Sequence, residues 1–191
     1  MGQPTSKLVF HYHKSFKPTP DFIFECEKPI ITPESNRKDQ KNDEWEYIPT
    51  LNYLNILAYI NYLQIHEGLK ECFEFLDIGA GKEPFIIDLV AKVFPKSTQK
   101  GLEKYYALND PRYFKVDIRR SVKHYKTADV LYTYMPLKNS EDMYTLLLKI
   151  MKHMKKGSFL IFYNATVPTS LLESNKNFLI VYHEIWMFKK K

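Results

Sequence analysis

The chain has 191 residues and a mass of 22.7 kDa, and 45% of its residues are hydrophobic, enough for one globular domain with a sizeable core. Its formal charge is +6, its two cysteines, Cys26 and Cys72, stand alone, and no apolar run is long enough to span a membrane. These features exclude a disulfide scaffold, a Cys/His zinc site and a helical membrane protein; Met1 to Phe16 lacks the apolar block of a secretory leader, so a cytoplasmic setting is expected.

Residues 1–47 read as an N-terminal extension that lies over the main domain, residues 48–191. Within the extension, Leu8-Val9-Phe10 and Phe22-Ile23-Phe24 suit short strands, and the charged run from residue 34 to 44 suits a mobile surface loop. From Leu51 to Leu63 apolar side chains recur at the spacing of an amphipathic helix, with Gly68 as its stop. Phe73 to Ile78 is a short buried strand. Pro84 opens a helix carrying Phe85, Ile86, Leu89, Val90 and Val93, and Pro95 closes it. Lys100 to Glu103 and Tyr113 to Asp117 are the next strands, with a helical turn at Tyr105 to Leu108 between them. Asp129 to Tyr134 is a fourth strand, stopped by Pro136. Ser140 caps a helix running to about Lys155, and Gly157 ends it. Ser158 to Tyr163 is a fifth strand, and Phe178 to Tyr182 and Ile185 to Phe188 supply the last ones. Alternating helices and strands with short links predict an α/β fold: a doubly wound, mostly parallel sheet with helices on both faces.

In such sheets a ligand lies beyond the carboxyl ends of the strands. Those ends carry Asp77, Glu103, Asp117 and Tyr134-Met135-Pro136, and Asp77 leads into the loop Gly79-Ala80-Gly81-Lys82-Glu83-Pro84. A dinucleotide fingerprint needs a third glycine where this chain has Pro84, and a carboxylate is unwelcome beside a pyrophosphate. The spacing of a Walker phosphate loop is also missing. S-adenosyl-L-methionine fits better: it has no phosphate, and its amino group is cationic. Gly79 and Gly81 let backbone approach it, Asp77 suits the amino group, Glu103 the ribose hydroxyls and Asp117 the adenine amino group.

Phe75 to Glu83, Gly101-Leu102-Glu103, Val116-Asp117-Ile118 and Ala128 to Pro136 resemble the successive motifs of class I S-adenosylmethionine-dependent methyltransferases, and the resemblance covers Pro49 to Phe188. It implies a seven-strand sheet whose last strand is antiparallel. It assigns Asp77, Gly79 and Gly81 to the methionine part of the cofactor, Glu103 to the ribose, and Asp117 with Ile118 to the adenine. One departure stands out: Glu83 replaces a third small residue of the glycine loop, which keeps a non-catalytic binding module as the alternative.

The reaction is an in-line displacement that needs alignment and dryness. Tyr134 is placed to shield a sulfonium by a cation–π contact, and Pro136 frees backbone carbonyls to orient an acceptor amine. The stretch Tyr134-Met135-Pro136-Leu137 differs from the Asn/Asp-Pro-Pro-Tyr pattern of DNA amino-methylating enzymes, so a DNA or RNA acceptor rests on positive charge alone. A further likeness is to small protein-lysine methyltransferases, through Tyr47-Ile48-Pro49-Thr50 and Trp186; it implies a protein amine as acceptor. No metal is called for, and the sequence leaves the acceptor open among a protein amine, a nucleic acid and a small molecule.

Overall fold

A computed structural model describes residues 9–12, 20–23, 50–81, 85–105, 109–134, 136–137, 139–163, 178–182 and 185–191. Two short strands, β1 (Val9–Tyr12) and β2 (Pro20–Ile23), pair antiparallel, with Val9 opposite Ile23. Helix α1 (Thr50–His66) follows, and β2 lies beside it. The chain then alternates: β3 (Glu74–Ile78), α2 (Phe85–Val93), β4 (Thr98–Glu103), β5 (Tyr113–Lys115), α3 (Val122–Tyr125), β6 (Val130–Tyr134), α4 (Ser140–His153) and β7 (Phe159–Tyr163). Two more strands close it, β8 (Phe178–Tyr182) and β9 (Ile185–Lys189).

Among the described residues these strands form one seven-stranded sheet in the order β5-β4-β3-β6-β7-β9-β8. Neighbours from β5 to β7 run parallel, and β9 runs antiparallel between β7 and β8. The order reverses between β4-β3 and β6, so the switch point of the sheet falls at the carboxyl end of β3.

The core divides into two layers because the strands are buried on both faces. Phe75, Tyr132, Ile161 and Met187 pack on one face with α1 and α2. Leu76, Leu131, Leu160 and Phe188 pack on the other with Met143, Leu147 and Ile150 of α4. Successive residues of β3 therefore serve opposite layers, as the two-residue repeat of a strand requires.

Several local expectations are corrected. Ile56, Leu57, Ala58, Tyr59 and Ile60 of α1 are all buried in succession, so the helix is not amphipathic there. A helix that is apolar all round is covered all round, and β2 runs along it. Asn139, not Ser140, caps α4: its backbone is extended and its side chain accepts from the N–H groups of Glu141 and Asp142. The third parallel strand ends at Lys115; Asp117 instead caps a 3-10 turn, Ile118–Arg120, which leads into α3. That turn and α3 escape the sequence reading because each is too short to show a period. Their anchor is tertiary: the buried Tyr125 hydroxyl donates to the carbonyl of Ile118. Trp186 stacks on Phe162 inside the core, and Cys72 is exposed and free. The loop at residues 34–44 and the turn expected at residues 106–108 lie outside the described residues. No helix among the described residues is long and apolar enough to cross a membrane.

Candidate functional site

The loop after β3 is shaped by two glycines, Gly79 at φ +84° and Gly81 at φ +70°, a region that side chains rarely enter. Gly79 is also required sterically, because a Cβ there would collide with the ring of Pro136. The backbone of the loop is thus pressed against the end of β6. Thr133 locks the same junction: its hydroxyl, fully buried, donates to the carbonyl of Ile78 at 3.0 Å.

The N–H groups of residues 79–81 in this loop turn inward. Those of Gly79 and Ala80 both donate to the carbonyl of Leu102 at 3.0 Å, and that of Gly81 donates to Oε2 of Glu103 at 2.9 Å. A phosphate cradle would aim them at the ligand instead. Residues 79–81 therefore present no free N–H to an anion, in line with the missing third glycine.

Glu103 is only 7% exposed, and its carboxylate is well supplied with donors. Oε1 accepts from the N–H groups of Lys104 and Tyr105, each at 2.7 Å, while Oε2 takes Gly81. Oε2 keeps a lone-pair direction for a further donor such as a hydroxyl. Glu103 is thus both the clamp of the glycine loop and an acceptor beside it, a double role that no sequence signal marks.

Asp77 is 4% exposed. Burial, and second the nearby Glu103 carboxylate, push its pKa up to about 8. An anion is disfavoured there until a positive charge arrives. Asp117 is different. Burial acts to raise its pKa, but hydrogen bonds from the Arg119 guanidinium and backbone N–H, with the Lys104 ammonium 3.7 Å away, hold the carboxyl below its usual range. Asp117 is thus already paired, and Ile118 is buried beside it.

Asp77, Gly79, Gly81 and Glu103 converge at the switch point, and Pro136 joins them against Gly79. Tyr134, half-buried, ends β6 and packs against the layer holding Asp77's neighbours Phe75 and Tyr132. Asp117 and Ile118 stand one strand further out, after β5, with Lys104 bridging toward them from β4. Lys82, Glu83, Pro84 and Met135 lie outside the described residues. Sequence reasoning missed Thr133, whose hydroxyl is invisible as a lock until the strands are aligned, and Tyr113, considered below.

No family model matches the sequence, and no curated protein does. Solved structures do match. MycE methyltransferase from the mycinamycin biosynthetic pathway, in complex with Mg and S-adenosylhomocysteine, superposes with a TM-score of 0.54 at 15% identity, over 74% of this chain and 47% of that one. The same enzyme with Mg, S-adenosylhomocysteine and mycinamycin VI gives 0.52 at 16% identity, over 74% and 48%. This chain has the class I methyltransferase fold. It spans about half the length of the MycE chains.

Proposed function

We propose that this class I methyltransferase domain binds S-adenosyl-L-methionine at the carboxyl ends of β3, β4 and β5 and transfers its methyl group to an acceptor. The reading is carried by one observation: a glycine loop whose N–H groups face inward, beside a buried carboxyl group that a cation would ionise. That donor set suits an amino-bearing, phosphate-free ligand. The crystallised MycE contains S-adenosylhomocysteine, which has that chemistry.

In this reading Gly79 and Gly81 let backbone lie close to the methionine part, and Asp77 balances its ammonium group. Glu103 would accept from the ribose through the open side of Oε2. Asp117 and Ile118 would border the adenine, with Asp117 exchanging part of its Arg119 pairing for the exocyclic amine. The bound group supplies a methyl on a sulfonium. The chain's task is alignment and exclusion of water, with Tyr134 facing the sulfonium and the backbone around Pro136 orienting the acceptor. A protein amine is the acceptor favoured, on the likeness of Tyr47-Ile48-Pro49-Thr50 and Trp186 to protein-lysine methyltransferases.

Calorimetric titration with S-adenosylhomocysteine tests the reading. The intact chain is expected to bind. Glu103→Ala is expected to weaken binding by about 1–3 kcal/mol, the scale of hydrogen bonds lost from a charged group. No binding of either S-adenosylmethionine or its product would overturn the proposal. Binding without incorporation of labelled methyl into cell extract would assign the chain to non-catalytic binding modules.

A further inference from the structure

Tyr113, Gly101, Asp77 and Tyr132 stand in register across β5, β4, β3 and β6. Residues in register on parallel neighbours share a face, here the one covered by α1 and α2. Gly101 contributes no side chain to this row, and Tyr113 occupies the gap. A Cβ at position 101 would overlap the Tyr113 ring and crowd Ile87. The ring therefore lies over Gly101, and the next residue in the row is Asp77, two strand spacings or roughly 10 Å from Tyr113 between Cα atoms. A tyrosine side chain laid in that direction covers most of the distance.

The hydroxyl at its tip is buried and has no hydrogen-bond partner among the described residues. The ionisable groups around it are Asp77, Arg112, Asp88 and Asp110. The last three satisfy one another: Arg112 bonds Asp110 through Nε and Nη2, and Asp88 through Nη2 at 2.7 Å. Buried polar groups without partners are rare and call for an explanation. Phenylalanine would fill the same space.

We propose that Tyr113 is a positioning residue of the ligand site, whose hydroxyl donates across Gly101 to the Asp77 carboxylate, directly or through one buried water, and holds it as the anion when a cationic ligand is bound. This rests on the S-adenosylmethionine reading above. Burial and the nearby Glu103 push the Asp77 pKa up to about 8, which favours its neutral form near pH 7, and a cationic ligand favours release of that proton to solvent. The other charged group bearing on it is Glu103 from β4; Tyr132 of β6, in register with it, and Tyr59 of α1 share its buried layer.

The experiment is calorimetry of S-adenosylhomocysteine binding to wild type and Tyr113→Phe across pH. The expected result is an affinity about tenfold lower for the variant near pH 7, closing above about pH 9, where Asp77 is ionised with or without the hydroxyl. In an Asp77→Asn background the same substitution is expected to have no effect, which separates a role through Asp77 from a packing role. Ligand-free Tyr113→Phe is expected to melt no lower than wild type, because an unpartnered hydroxyl is removed. A deficit of the same size at every pH, equal affinities throughout, or a full effect in the Asp77→Asn background would each overturn the proposal and leave the cofactor reading standing. No binding by wild type would overturn both.

Discussion

At the scale of single residues, the site depends on where burial leaves a charge. Asp77 sits in a strand whose neighbours Phe75, Leu76 and Ile78 are fully buried, so its carboxyl group is withdrawn from bulk water. The consequence for stability has a definite sign. Its folded pKa of about 8 lies above the ordinary 3.8, so the folded state holds a proton that the unfolded chain has lost. The contribution is fully present below about pH 4 and is lost as pH rises through about 8. Asp77→Asn is therefore expected to leave stability nearly unchanged near pH 4 and to raise it by about 1–3 kcal/mol near pH 9, below the roughly 6 kcal/mol that a shift from 3.8 to about 8 carries at about 1.4 kcal/mol per unit, because the folded site relaxes around the anion. Urea titrations at the two pH values check this; an equal effect at both would place the charge elsewhere. The same substitution is expected to weaken ligand binding, so the residue serves the site at the expense of the empty fold.

At the scale of elements, the glycine loop is held by two strands at once. Glu103 fixes it from β4, and Pro136 seats on Gly79 from the end of β6. Gly157 has a similar dihedral, φ +79°, but open space around its missing Cβ. The pair separates backbone strain from steric contact. Gly157→Ala is expected to destabilise by about 1–2 kcal/mol, the strain of a left-handed residue. Gly79→Ala is expected to cost at least about 1 kcal/mol more, because Pro136 must also move. Denaturant midpoints of the two variants give the comparison, and equal midpoints would remove Pro136 from the contact. The start of the third parallel strand was legible from Tyr113 onward, but its end was not. Asp117 reads as a strand terminus in sequence, yet Arg119 and the 3-10 turn draw it into a cap.

At the scale of the whole molecule, the two apolar layers hold the sheet as a rigid base and leave the strand ends to the ligand. Binding that favours only the folded state must raise its stability, by about 2.7 kcal/mol at a ligand concentration of a hundred times Kd. S-adenosylhomocysteine is therefore expected to raise the melting temperature, whereas NADH at the same concentration is not. A shift with NADH would restore the dinucleotide reading that Pro84 and the inward N–H groups argue against. The sequence by itself determined the alternation of helices and strands, the acids Asp77 and Glu103 at strand ends, and the turn glycines, because periodicity and backbone conformation are local properties. Only the tertiary structure decided which of those groups are buried, which are already paired, and what lies across a gap. It placed Glu103 on the Gly81 N–H, Pro136 on Gly79, and the Tyr113 ring over Gly101. Each of these is a contact between strands distant in sequence, and register and desolvation, which set its chemistry, arise only when the sheet is assembled.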